Sequence, residues 1–199
     1  MFDVTHIIQA GGLALIAGII FAESGMFIGF FFPGDTLLIA AGVFVAAGKL
    51  DFVTVLPVIA LAAILGDNVG YHIGKRYGRR LFRKPDGLIF RQEYVGQAEE
   101  FYEKHGNKAV LLAHFVPIVR TFAPAVAGVA RMDYKKYVIY DAIGDSVWTI
   151  ILTLLGYEFG SRIPHLDHYI LLAVAAAMII TLGPTLYHIG KALKRKHRK

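Results

Sequence analysis

Apolar residues fall in long blocks separated by short basic stretches. Three blocks, at 52–74, 137–160 and 168–190, have the ~20 residues a helix needs to cross a ~30 Å hydrocarbon core, and each reads as a transmembrane helix. Two further apolar runs, Gly11–Ala47 and 109–130, contain helix breakers: Pro33-Gly34 in the first, Pro117 and Pro124 in the second. Residues 36–48 are too few to cross. A simple crossing by 109–130 would set the basic flanks at 104–108 and 131–136 on opposite sides. Both runs are therefore expected to be re-entrant hairpins, at 10–48 from outside and 109–130 from the cytoplasm. Segment 92–105 places Val95, Ala98, Phe101 and Tyr102 at helical spacing, which predicts an amphipathic helix on the inner surface.

An internal repeat supports this layout. Ala41-Gly42-Val43 precedes Gly70-Tyr71-x-x-Gly74, and Ala127-Gly128-Val129 precedes Gly156-Tyr157-x-x-Gly160; Gly42 to Gly70 and Gly128 to Gly156 are both 28 residues. A Phe-x-Pro lies upstream in each, ending at Pro33 and Pro117. Each unit reads hairpin, then span. The expected fold is an all-α multi-pass membrane protein: an inverted repeat of re-entrant hairpin plus transmembrane helix, with an additional C-terminal transmembrane helix. It forms one domain over 1–199, ending in a basic tail at 191–199.

Composition agrees. The 199 residues are 56% hydrophobic with a mean hydropathy of +0.54, too apolar for an ordinary soluble domain. Cysteine is absent, which excludes disulfides, thiol catalysis and cysteine metal sites. The amino terminus has no Lys or Arg before Lys49, so it lacks the basic region of a cleaved signal and is expected to be retained. Of the 21 basic residues, nine lie in 75–108, three in 131–136 and six in 191–199. By the positive-inside rule these regions, including the carboxyl terminus, are cytoplasmic. Each abuts a hydrophobic segment, so the charge reads as a topology signal and lipid-headgroup attraction, not nucleic-acid binding.

Charge within the apolar runs is the informative feature. An ionisable group at bilayer depth costs ~2.5–3.5 kcal/mol on insertion scales, yet Glu23, Asp35 and Arg120 sit in the interrupted runs. Charged groups on broken membrane helices mark a transport site near the midplane. If the hairpin tips meet, two carboxylates and a guanidinium share one cavity. Arg120 offers a planar fork suited to phosphate oxygens, and helix breaks at Pro117 and Pro124 would free backbone N–H groups for an anion. Glu23 and Asp35 are the candidate proton- or ion-coupling groups; the alternative is a structural bridge pinning the hairpins. His114 and Arg131 are further candidates for the phosphate, His114 either relaying protons or donating a hydrogen bond. Asp67, Asp145 and Tyr71 are candidates for cavity lining. Asp67, Asp141 and Asp145 could also pair with Arg120 or Arg131, or hydrogen-bond locally. Tyr71 and Tyr157 suit packing and interfacial anchoring. No cofactor or metal is expected.

Three motifs carry a family resemblance: Glu23-Ser24-Gly25 with Phe32-Pro33-Gly34-Asp35-Thr36-Leu37-Leu38; Gly66-Asp67-Asn68-Val69-Gly70-Tyr71-x-x-Gly74; and Phe115-Val116-Pro117-x-x-Arg120-x-x-x-Pro124-x-x-Ala127-Gly128. In order and spacing, over about residues 10–165, the chain resembles the DedA family, also called SNARE-associated or VTT-domain proteins. The resemblance implies paired re-entrant hairpins, membrane carboxylates at Glu23 and Asp35, and an essential arginine at Arg120. It also implies lipid movement across the cytoplasmic membrane, in bacteria linked to the polyprenyl-phosphate carrier and to the proton or sodium gradient. Many members have a second arginine where this chain has His114.

The leading expectation is a flippase for an anionic lipid, with undecaprenyl phosphate the favoured substrate and protons or sodium ions as partners. The alternatives are an uncoupled phospholipid scramblase and a proton-coupled exporter of small cations or drugs. A homo-oligomer is compatible with this reading. Enzyme activity is not expected: Ser161-Arg162 and His168 match part of a lipid-phosphatase signature, but Leu172 stands where its Asp belongs and the preceding elements are absent.

Overall fold

The computed structural model describes residues 4–25, 34–81, 100, 104–106, 108–163 and 169. Pro33, the 191–199 tail and, apart from isolated residues, the 92–105 and 168–190 segments lie outside them. All regular structure among the described residues is helical: α1 (Val4–Gly25), α2 (Gly34–Ala46), α3 (Phe52–Leu81), α4 (Lys108–Ala113), α5 (Pro117–Val129) and α6 (Tyr134–Arg162).

Length and apolar composition together set two helices apart. At ~1.5 Å per residue, the apolar stretch Phe52–Tyr77 of α3 and the whole of α6 are about 39 and 44 Å long, enough to cross a bilayer. The 13-residue α2 and α5 are about 20 Å long and too short. α6 begins where the Asp133 carboxylate accepts the Lys136 backbone N–H at 3.0 Å, a standard N-cap. α5 begins on Pro117, whose missing N–H is no loss at a first helical position. The two short helices end alike. Gly48 (φ 69°) and Arg131 (φ 54°) both take the left-handed conformation, and the next residue returns its N–H to the helix, Lys49 to Phe44 O at 2.9 Å and Met132 to Ala127 O at 3.0 Å.

Pro124 corrects the sequence reading. It was expected to break the second hairpin, but α5 runs through it to Val129. In that position the ring removes one donor only, the N–H that would pair with the carbonyl of Arg120.

The helices pack by exchange between the two halves of the chain. α2 lies mainly along α6 and α5 along α3, while α1 packs on α3, α4 on α6, and α3 on α6. Glycines permit both crossings. A Cβ at Gly42 would fall on the Thr153 carbonyl oxygen and the Tyr157 nitrogen, and one at Gly128 on the Tyr71 carbonyl oxygen and the Lys75 nitrogen. Reciprocally, a Cβ at Gly156 would meet Ile39 O and one at Gly74 would meet Ala125 O. These contacts equate Gly42 with Gly128 as the repeat suggests, but Gly74, not Gly70, with Gly156. The long helices are thus offset by one turn from the motif spacing, because a Gly-x-x-x-Gly offers two registers and packing selects one.

The bundle is apolar outside as well as in its core, and its ionisable groups are gathered inside. Val53, Leu61 and Leu65 on α3, and Ile139, Ile143, Val147, Ile150 and Leu154 on α6, are exposed, whereas Asp67, His114, Asp141 and Asp145 are buried. Outward apolar stripes at helical spacing with inward ionisable groups are the distribution that hydrocarbon imposes.

The glycine crossings give a direct test. Gly128→Ala is expected to destabilise the bundle by about 1–3 kcal/mol through backbone overlap, read as a lowered unfolding midpoint in detergent. Gly18→Ala, where no described residue lies within 4 Å of the added methyl, is expected to raise the midpoint slightly, by the ~0.5–1 kcal/mol that alanine gains over glycine inside a helix.

Candidate functional site

Three helix ends deliver the first set of charges. Glu23 is near the end of α1, Asp35 in the first turn of α2, and Arg120 in the first turn of α5. An acidic group suits the positive end of the α2 dipole, whereas Arg120 stands at the wrong end of α5 and depends on its counter-charges. Its Nη1 donates to Asp35 Oδ1 at 2.6 Å and its Nη2 to Glu23 Oε1 at 3.2 Å. Trp148 on α6 donates its indole N–H to the same Asp35 oxygen at 3.1 Å, and the guanidinium carbon lies 5.6 Å from the Trp148 ring centroid, within cation–π range. Gly34 is needed for this arrangement, since a Cβ there would fall on the second Glu23 oxygen. The Arg120 side chain is 19% exposed and that of Asp35 42% exposed, so the triad is reachable from outside.

A second set lies deeper. Asp67 on α3, Asp141 and Asp145 on α6, and His114 in the turn after α4 offer ligand atoms that all lie within 4.8 Å of one another. The i, i+4 spacing of Asp141 and Asp145 sets both on one helix face. His114 Nε2 is 3.7 Å from Asp67 Oδ2, 3.9 Å from Asp141 Oδ1 and 3.2 Å from Asp145 Oδ1. Its Nδ1 is 2.9 Å from the Val110 carbonyl oxygen, which can only accept. A cavity of about 30 Å³ adjoins both sets, lined among others by Glu23, Asp35, Arg120, Asp67, Asp145 and Trp148. It has room for about two waters.

The remaining sequence candidates are placed otherwise. His114 is 2% exposed among carboxylates, which suits a cation and repels a phosphate. Arg131 is exposed in the left-handed turn after α5, eleven residues from Arg120. At ~1.5 Å per residue that is about 16 Å, too far to share one phosphate. Tyr71 does not line the cavity: it is fully buried, stacked on Tyr137 at 4.5 Å, with its hydroxyl donating to Met132 O at 2.5 Å. Tyr157 is partly exposed beside Phe52, at 5.1 Å between ring centroids. Pro117 starts a helix, and Gly34 serves the Glu23 carboxylate. Trp148 was not anticipated, although it is the chain's one tryptophan and lies three residues after Asp145.

The VTT-domain family model matches residues 32–158, well over half of the chain and the whole stretch from α2 through most of α6. The chain belongs to the VTT-domain, or DedA, family of membrane proteins. It is 39% identical over 178 residues to DedA of Escherichia coli strain K12, covering 88% of this chain and 81% of that one. It is 35% identical over 190 residues to a membrane protein of Mycobacterium tuberculosis, covering 93% and 83% of the two chains. It is also 31% identical over 142 residues to the inner membrane protein YqjA of E. coli, covering 71% and 64%. No solved structure matches the chain. Within this VTT domain the matched region holds Asp35, Asp67, His114, Arg120, Asp141, Asp145 and Trp148, while Glu23 reaches the site from α1, before it begins.

Two substitutions separate the triad from the turn. Arg120→Ala leaves the carboxylates of Glu23 and Asp35 without their cation and is expected to lower stability by about 3 kcal/mol, the low end for a broken buried pair because Asp35 is partly exposed. Arg131→Gly removes a left-handed non-glycine residue and is expected to raise stability by up to about 1 kcal/mol. Unfolding midpoints of the purified variants check both.

Proposed function

We propose that this VTT-domain protein moves an anionic lipid across the cytoplasmic membrane, with Arg120 as the phosphate-binding group and Glu23 and Asp35 as proton-coupled exchange partners. The observation that carries this reading is the bridged triad, one guanidinium shared by two carboxylates from different helices. With both carboxylates ionised, the guanidinium is occupied. A proton taken by either one removes its charge and weakens its hold. The freed fork can then take phosphate oxygens in bidentate fashion, helped by the positive end of the α5 dipole. Loss of the proton on the other side restores the carboxylate, which displaces the phosphate. The lipid tail stays in hydrocarbon throughout. The cavity is too small for a headgroup, so binding requires α1 and α2 to part from α5, and α1 and α2 touch each other only slightly.

The proposed topology has hairpins α1–α2 and α4–α5 entering from opposite faces, with α3 and α6 crossing in opposite directions as an inverted repeat. The exchange packing of α2 on α6 and α5 on α3 supports it, since equivalent contacts recur in the two halves. The basic residues of 191–199 support a cytoplasmic carboxyl terminus. Undecaprenyl phosphate is the first substrate to test, because the family resemblance points to polyprenyl-phosphate carriers, and protons are the first coupling ion, with sodium the second.

The test is lipid translocation in proteoliposomes, using undecaprenyl phosphate and a zwitterionic phospholipid, with and without a pH gradient. Gradient-stimulated movement of the polyprenyl phosphate is expected. Arg120→Ala should abolish it, and Arg120→Lys should slow it at least about tenfold, since an ammonium cannot replace the planar fork. Equal movement of both lipids, indifferent to the gradient, would make the protein a scramblase. Movement of neither would overturn the lipid reading and favour cation export.

A further inference from the structure

The deeper cluster has no part in the phosphate reading and calls for its own explanation. Asp67, His114, Asp141 and Asp145 are each at most 5% exposed. Both Asp141 oxygens, one Asp145 oxygen and His114 Nε2 have no hydrogen-bond partner among the described residues. Burying such atoms unpaired is strongly unfavourable. The donor set is also consistent in kind. If a cation displaces the Nε2 proton, Nδ1 still donates to Val110 O and the neutral imidazole presents the Nε2 lone pair to three carboxylates. All four groups are then acceptors aimed at a common volume.

The distances decide what that volume suits. The 3.2 Å approach of Nε2 to Asp145 Oδ1 lacks hydrogen-bond alignment, so the two atoms converge without facing each other. Four donors at about 2.1 Å from a shared ion in tetrahedral array stand about 3.4 Å apart. The three separations from Nε2, at 3.2, 3.7 and 3.9 Å, bracket that edge, and the whole set lies within 4.8 Å, so small side-chain rotations close it on one ion. The Nδ1 contact to a backbone carbonyl is the outer hydrogen bond that metal-binding histidines ordinarily make. Gly144 completes the fit, since a Cβ there would collide with the His114 ring.

We propose that Asp67, His114, Asp141 and Asp145 form a binding site for one divalent d-block cation of the Mn²⁺ or Zn²⁺ class. One imidazole with three carboxylates selects such an ion over the all-oxygen sites of Ca²⁺ and Mg²⁺. The ion neutralises carboxylates that hydrocarbon would otherwise surround and ties α3 and α6 to the turn that leads into α5. It sits beside the Arg120 triad without touching the phosphate. The sequence shows no metal-ligand spacing because the donors come from three segments, 47 residues between Asp67 and His114 and 27 between His114 and Asp141.

The test uses the full chain purified in detergent, stripped with EDTA, desalted, and titrated with Mn²⁺ and Zn²⁺ under equilibrium dialysis with elemental analysis. One equivalent per chain is expected, with a raised unfolding midpoint. Bound Mn²⁺ should show coupling to one imidazole nitrogen in pulsed electron paramagnetic resonance. Asp141→Asn should weaken binding at least about 100-fold, His114→Ala should abolish the nitrogen coupling, and Glu158→Gln, on the exposed part of α6, should change neither. A large excess of Na⁺ should not displace the ion. Absence of stoichiometric binding, absence of nitrogen coupling in the unmodified chain, displacement by Na⁺, or binding that survives both Asp141→Asn and His114→Ala would each overturn the site. The unmodified chain alone can fail the test, so a variant that does not fold leaves it decisive. The result does not depend on whether a lipid moves.

Discussion

A guanidinium carried into an apolar bundle cannot shed its proton, so its charge must be balanced within the protein. Arg120 meets that demand with Glu23 from α1 and Asp35 from α2, and Trp148 from α6 fixes the shared Asp35 oxygen. One charge thereby holds three helix ends against the middle of α6. Desolvation of each ion costs several kcal/mol, and only good geometry with added hydrogen bonds offsets it. The triad is therefore a conditional joint. It holds while the carboxylates are charged and loosens when one of them is neutralised. Structure and candidate chemistry reside in the same three side chains.

Around this joint the frame is rigid for a different reason. Between helices in hydrocarbon there is little hydrophobic driving force, and association relies on close van der Waals fit. Gly42 and Gly156 let α2 and α6 approach backbone to backbone, and Gly74 and Gly128 do the same for α3 and α5. Each short helix is clamped to the long helix of the other half. At the triad, by contrast, α1 meets α2 only slightly.

The two polar sets differ in access, and that separates their chemistry. The triad opens to the outside through Asp35 and adjoins a cavity, so its partners can be exchanged. The Asp67–His114–Asp141–Asp145 set is more deeply buried, reaches the same cavity only through Asp67 and Asp145, and is held by the two long helices and the turn after α4. A buried set of acceptors suits a cation, while an open guanidinium suits an exchange of anions. Their shared boundary at Asp67 and Asp145 lets the charge state of one be felt by the other across a few ångströms of low dielectric.

Much was legible along the chain because it depends on local composition. The lengths of α3 and α6, the short breaker-flanked helices, and the selection of Glu23, Asp35 and Arg120 follow from the energetics of hydrocarbon, which acts on each segment separately. Where the outcome depends on who meets whom, the sequence is silent or ambiguous. Pro124 reads as a break, but it sits in α5 where a single hydrogen bond is forfeited. The spacing of Gly70, Gly74 and Gly156 allows two registers, and only the Ala125 and Ile39 carbonyls choose between them. His114 reads as a phosphate or relay group until the fold surrounds it with three carboxylates from two other helices. What the sequence by itself determined was which groups had to be hidden from lipid. Tertiary structure alone decided which of them share a counter-charge, because distance between helices, unlike burial, has no signature along a single segment.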